Sequence, residues 1–498
     1  MDHLGLSFLL LTCFWTPTFS DNADSFAHAQ EMFEQRLRMH SRHHWNNLSL
    51  KRIHKARRRN ATCMDGSDAR YYLSRQWESN NWVIHLQGGG SCITYDECRS
   101  RSEGPLGSSL PLDAHITGEW TLSNDPKINP TFHKWNKVLI PYCSGDVFVG
   151  RMLKKNHPYR LPMLGHYIFS AVIEDLVRLY KINKKKTKIL FGGTSAGGVG
   201  VLANADYLQE MTKPAKVRAY NDGGWFTLFR SFGEKHNTNL PQFFHTLATL
   251  FEKHWDGFAD KTCQKHMPKS AACLYGELAI QYVKTPMFVM TSMWDLYQLN
   301  QMVPRTSPVI HLPPKLNQET KYLESFANNS YRSITGLLRK PKNGVFSPAC
   351  YSHIFFTNCI GGIICGAPKK TVYSSGGQTA YGALTDWYLT DGAEGSYIDD
   401  IIESPTCNPS CCTQHCHKCK SLNDILHGTK NGHTNLVYRH RKRKKETDTK
   451  NEVERNHDNQ NNYQRFVYYS KSYTLNPHPS VMYALMSMVS QIWLQLRV

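Results

Sequence analysis

Apolar positions in this chain fall into short unbroken runs separated by stretches of helical spacing. Trp82 to Gln87, Val138 to Tyr142, Thr187 to Phe191 and Met287 to Ser292 are each an apolar run ending in glycine, cysteine or a polar turn. Runs without polar alternation suit parallel strands covered on both faces. Between the second and third, Tyr167, Ile168, Ala171, Val172, Leu176 and Tyr180 recur at helical spacing, which predicts an amphipathic helix lying on the sheet. Strand alternating with helix predicts an α/β fold with a mostly parallel, doubly wound central sheet and helices on both faces. Ligands of such sheets bind beyond the carboxyl ends of the strands.

The ends read differently from the middle. Leu4 to Trp15 is a short apolar block that closes on Thr18-Phe19-Ser20, small residues of the kind a signal peptidase reads, so residues 1–20 are expected to be a secretory signal peptide. The block is too short to span a bilayer as a mature helix, and no other window approaches that length. Residues 21–60 are expected to form a basic mobile arm and 61–421 one catalytic domain with a cysteine-rich end. Residues 422–480, rich in Asn, Lys, Arg, Glu and Asp, have the composition of a disordered tail. Apolar residues at helical spacing within 481–498 suggest a terminal helix that docks back or lies on a membrane surface.

Charge and cysteine support export. Of the formal net charge of +19, fifteen units sit in residues 36–59 and 439–445, leaving the body near neutral. An export signal excludes nuclear targeting and nucleic acid as the partner, which leaves a sulfated extracellular polysaccharide or a merely solubilising role for the basic arms. Removing Cys13 with the signal leaves fourteen cysteines, an even number that fits a disulfide-rich secreted protein. Cys407, Cys411, Cys412, Cys416 and Cys419, with His415 and His417, have zinc as their alternative. Sequons at Asn47, Asn60 and Asn328 are expected to carry glycans.

The chemistry is named by Gly193-Thr194-Ser195-Ala196-Gly197 directly after the run Thr187 to Phe191. A strand running into G-x-S-x-G and then a helix is a nucleophile elbow, which lifts a serine hydroxyl clear of its backbone. The competing reading is a glycine-rich turn with a buried serine. An acyl-transfer enzyme also needs donors aimed at the developing oxyanion. Gly88-Gly89-Gly90 after Trp82 to Gln87 supplies an open turn, and the amides of Gly89, Gly90 and Ala196 are assigned to it. That turn lacks the Lys-Ser/Thr of a phosphate-binding loop. In the order of such enzymes the acid and then the histidine follow the serine. Asp295 at the end of an apolar run and His353 on a later loop are the candidates, with Asp222, Asp386 and Asp391 as competing acids and His311 and the tail histidines as competing bases.

Five segments, read together, resemble the pectin acetylesterase family. They are His85 to Cys92, Tyr142 to Asp146, Gly193 to Gly198, Asp222 to Phe226 and Ser347 to His353. Gly224-Trp225-Phe226, the Trp294-Asp295 region and Cys407-Asn408-Pro409-Ser410-Cys411 are similar to its animal Notum branch. The resemblance implies an α/β-hydrolase with Ser195, Asp295 and His353 as its triad and no metal or organic cofactor. It further implies a carboxylesterase that removes palmitoleate from a serine of Wnt proteins, antagonises Wnt signalling outside the cell and associates with heparan sulfate of glypicans. The alternatives are a polysaccharide O-acetylesterase and a non-catalytic heparan-sulfate-binding antagonist. Phe226 is kept on the implied acyl pocket wall. The chain departs from the branch at Gln87, at Gly90-Ser91, where the branch carries an aromatic pair, and at Leu274-Tyr275, where it carries two phenylalanines.

Overall fold

The computed structural model describes residues 46–234, 242–302, 317–356, 374–375 and 378–399. The expected signal peptide, most of the amino-terminal arm, His311, the Cys407 to Cys419 cluster, the polar tail and the last apolar segment lie outside the described residues. In chain order the strands are β1 (Asn47–Arg52), β2 (Arg70–Ser74), β3 (Trp82–Leu86), β4 (His115–Thr117), β5 (Asn136–Ile140), β6 (Lys188–Thr194) and β7 (Lys216–Asp222). They continue with β8 (Met287–Met290), β9 (Trp294–Asp295), β10 (Gly344–Ser347), β11 (Tyr351–Ser352), β12 (Ser374–Ser375), β13 (Gln378–Thr379) and β14 (Tyr397–Ile398). The helices that bear on the site are α1 (Tyr95–Ser102), α2 (Gly165–Tyr180), α3 (Ala196–Met211), α4 (Leu296–Met302), α5 (Asn317–Leu337) and α6 (Ala380–Leu389).

One ten-stranded sheet runs in the order β14-β10-β8-β7-β6-β3-β5-β2-β1-β4. From β14 to β5 every neighbouring pair is parallel, and β2 and β1 are antiparallel additions at the side of β5. Each of the four expected strands forms, and β3, β5 and β8 are buried along their whole length, as runs without polar alternation require. The expected helix is α2, which buries Ile168, Phe169, Val172, Ile173 and Leu176. α3 lies so close to the end of β3 that a Cβ on Gly197 would sit 2.1 Å from the carbonyl oxygen of Leu86. That approach brings the turn after β3 against the turn after β6. Among the described residues no helix is long and apolar enough to cross a membrane.

The structure corrects the expectation of a mobile arm through residue 60. Ser49 to Arg52 pair with β2, in register Ser49↔Leu73 to Arg52↔Arg70. Arg59 donates to Asp175 at 2.9 Å, and the Asp175 carboxylate is only 1% exposed. Part of the basic run therefore neutralises a buried acid on α2, a charge that is costly to leave unpaired. Three disulfides, Cys63–Cys143, Cys92–Cys98 and Cys263–Cys273, close among the described residues, and Cys350 is disulfide-bonded as well. Of the sequons, Asn60 and Asn328 are exposed and Asn47 is half-buried.

Candidate active site

β6 ends at Thr194 and α3 begins at Ala196, leaving Ser195 alone in the turn with φ 54° and ψ −116°. A non-glycine residue with positive φ is strained and persists only where its surroundings hold it. Here the Ser195 amide donates to the carbonyl of Asp222 on β7 at 2.7 Å, and the Val199 amide donates to the Ser195 carbonyl. Beneath the elbow, Thr194 Oγ1 lies 3.2 Å from His85 Nε2, while His85 Nδ1 meets the Tyr220 hydroxyl at 2.7 Å. Burial holds His85 down to about 3, so the ring stays neutral and serves as a fixed support.

The other two side chains reach Ser195 through strand register. β9 pairs in parallel with β11, setting Ser352 opposite Asp295, so the next residue, His353, leaves the ladder beside that carboxylate. His353 Nδ1 lies 2.8 Å from Asp295 Oδ2, and His353 Nε2 lies 2.8 Å from Ser195 Oγ. The second Asp295 oxygen accepts the Gln298 amide at 2.8 Å in the first turn of α4, which fixes the carboxylate plane. Ser195 and His353 are partly exposed and Asp295 is buried. The basicity of His353 is raised: burial opposes protonation, but the charge and hydrogen bond of Asp295 and the charge of Asp222 outweigh it. A hydroxyl, an imidazole and a buried carboxylate in this order are placed for proton transfer away from the serine.

The competing acids lie elsewhere. Asp386 accepts from Gln378 and Tyr397, and Asp391 pairs with Arg218. Asp222 is near but holds no nitrogen of the ring. Its two oxygens accept the amides of Phe355 and Phe356 at 2.8 Å, tethering the segment that follows His353, and burial pushes its carboxyl up to about 7 against those amides. Replacing Asp222 by Asn sets an amide group against one of these donors, at about 1–3 kcal/mol for the unsatisfied pair. The expected result is a lower thermal midpoint and a fall in kcat approaching about 10²-fold, as befits a misplaced base. A lowered midpoint with unchanged kcat would remove Asp222 from the positioning of His353.

The turn after β3 stands beside the elbow. A Cβ on Gly88 would lie 3.2 Å from Ser195 Cβ, and Gly90 has φ +65°, a conformation that favours glycine. Among the described residues the amides of Gly89, Gly90 and Ala196 donate to no protein acceptor. Gln87 accepts the Tyr142 amide at 2.9 Å, joining β3 to the end of β5. Of the residues expected on an acyl wall, Phe226 is partly exposed beside the site, whereas Leu274 and Tyr275 are each 1% exposed in the main apolar cluster, with Tyr275 stacked on Phe244. Two neighbours were not foreseen. Tyr297 lies flat on the His353 imidazole, ring centroids 5.1 Å apart, and reaches Phe226 at 5.9 Å. Arg101 grips the turn itself by donating to the Gly89 carbonyl. Position two past Asp295 was the one sequence signal for Tyr297, and nothing local marks Arg101.

Comparison with known proteins agrees with this architecture. The family model described as Pectinacetylesterase matches residues 42–412. Pectin acetylesterase 4 of Arabidopsis thaliana is 29% identical over 61% of this chain and 76% of its own length. The palmitoleoyl-protein carboxylesterase NOTUM of Mus musculus is 31% identical over 61% of this chain, which spans 60% of that relative. Among solved structures, the Wnt deacylase Notum from Drosophila matches with a TM-score of 0.62 and 24% identity, covering 74% of this chain and 100% of that one. The chain belongs to the pectinacetylesterase family, whose members are carboxylesterases.

Proposed function

We propose that this protein is a secreted serine carboxylesterase acting by two-step acyl transfer. The observation that carries the reading is the continuous hydrogen-bonded chain Ser195 Oγ, His353 Nε2 and Nδ1, Asp295 Oδ2, with 2.8 Å at both joints. His353 takes the Ser195 proton as the hydroxyl attacks the ester carbonyl, and Asp295 keeps the imidazole in the tautomer that presents Nε2. The amides of Gly89, Gly90 and Ala196 receive the charge that builds on the carbonyl oxygen. The proton then passes from His353 to the departing alcohol, and water, deprotonated by the same ring, releases the acid from Ser195.

The proposed substrate is the palmitoleate ester on a serine of Wnt proteins. Supporting it are the palmitoleoyl-protein carboxylesterases among the relatives and the partly exposed, apolar Phe226, which meets the Tyr297 ring stacked on His353. Tyr297 favours a second reading, polysaccharide O-acetylesterase. Its ring stacks on His353 and reaches Phe226, so a bulky phenol occupies space beside the imidazole. The two readings separate on chain length. Purified protein should release palmitoleate from a lipidated Wnt peptide and should favour long over short p-nitrophenyl esters. Hydrolysis confined to acetate would transfer the assignment to the second reading.

A further inference from the structure

A turn of three consecutive glycines is a poor holder of oxyanion donors unless something outside it fixes each peptide plane, because glycine crosses backbone regions closed to other residues. Here the outside group is Arg101 on α1. Its Nη1 donates to the carbonyl of Gly89 at 2.8 Å, and its Nη2 donates to that of Ser91 at 3.4 Å. Among the described residues this partly exposed guanidinium makes no ion pair with a carboxylate. Its charge is directed at two carbonyls of one turn.

Peptide planarity turns that grip into a statement about the site. The Gly89 carbonyl and the Gly90 N–H belong to one rigid unit and point in opposite directions. Holding the oxygen on Arg101 therefore holds the Gly90 N–H away from Arg101, and that N–H is without a protein acceptor among the described residues. α1 itself is firmly placed. Thr94 and Glu97 form a capping box at its start, and the Cys92–Cys98 disulfide ties it to the end of the same turn. A planar fork reaching two carbonyls is a geometry for which lysine is a poor substitute.

We infer that Arg101 is the positioning residue of the oxyanion turn, aligning the Gly90 amide for the tetrahedral state and doing nothing to the proton-transfer side of the site. The inference rests on the serine-esterase reading above. Arg101→Met keeps the length and apolar stem of the side chain and removes every donor. It is expected to lower kcat on a short p-nitrophenyl ester by about 10²–10³-fold, as for loss of one oxyanion donor, with KM within about twofold. Inhibition by a trifluoromethyl ketone, which adds the serine to form a charged tetrahedral adduct, should weaken by a similar factor. The acid limb of the kcat/KM profile, which reports His353, should stay where it is. Arg101→Lys should recover part of the loss, and it carries the same test if Arg101→Met does not fold.

A folded variant with kcat within threefold of wild type, or one whose acid limb moves, overturns the inference. Ser195→Ala measured alongside separates the two failures. An active Ser195→Ala protein overturns the esterase reading itself, whereas an inactive one beside a normal Arg101 variant overturns the role of Arg101 alone.

Discussion

Replacing Ser195 by alanine is expected to lower kcat by about 10⁶-fold while leaving KM and the thermal midpoint close to wild type. The size follows from what is lost. Without Oγ there is no acyl-enzyme, and His353 Nε2, which lies 2.8 Å from that oxygen, has no proton to accept from it. Water attack assisted by the three amides alone leaves a residual acceleration of about 10³–10⁴ over the uncatalysed reaction. Stability should not suffer, because the partly exposed hydroxyl packs no core, and the strained backbone at φ 54° is held through the amide and carbonyl of residue 195, which alanine retains. Steady-state kinetics with an ester of high turnover, beside a thermal melt, checks both halves. A loss below about tenfold in a folded variant would mean that another group attacks the ester.

The second large effect is at the carboxylate. Asp295→Asn is expected to lower kcat by about 10⁴-fold, since an amide nitrogen facing Nδ1 favours the tautomer that puts the proton on Nε2, the atom that must accept one. The pH dependence carries a separate signature. His353 acts as a base only when neutral, so kcat/KM rises with pH through the imidazole pKa. In the folded protein that pKa is raised, because the Asp295 charge and hydrogen bond outweigh burial. The wild-type acid limb is therefore expected above the ordinary histidine value of about 6.5. Removing the Asp295 charge leaves burial acting with little opposition, and the limb should move to lower pH while the plateau falls. A limb that stays in place in Asp295→Asn would show that the titrating group is not the ring that Asp295 touches.

The parts of this molecule that were legible in the sequence are those that local pattern decides. Continuous apolar runs gave β3, β5, β6 and β8, and helical spacing gave α2, with boundaries shifted by a few residues. β7 was not foreseen because Lys216, Arg218, Asn221 and Asp222 break its apolar character. Lys216 is exposed, and the other three have tertiary reasons. Arg218 lies over the rings of Trp387 and Tyr388 and donates to the Tyr388 carbonyl, while Asn221 and Asp222 serve the elbow and the His353 segment. β1 was hidden at the start of a basic run, in which Lys51 and Arg52 close the strand as exposed residues and Arg59, beyond it, meets the buried Asp175.

The site divides in the same way. Gly193 to Gly197 and Gly88 to Gly90 are local motifs and could be read directly. Among four acids, the choice of Asp295 by spacing was open, and it depends on the β9 to β11 register that sets Asp295 opposite Ser352. Asp222 stood as a rival because it too follows the serine in the chain, yet its oxygens face the amides after His353. The roles of Tyr297 and Arg101 could not be read from the sequence because they arise from side chains crossing between elements: a ring laid on His353 and a guanidinium laid on the Gly89 carbonyl.

Attack of Ser195 on the ester carbonyl is tested by locating the covalent adduct that an active-site phosphonylating agent leaves. Wild-type protein treated with an alkyl fluorophosphonate, digested and mapped by mass spectrometry, should carry a single stoichiometric phosphonyl group on Ser195. The His353→Ala variant should label far more slowly at the same residue. A stoichiometric adduct on any other residue, or wild-type protein that hydrolyses esters yet takes up no label, would exclude Ser195 as the nucleophile.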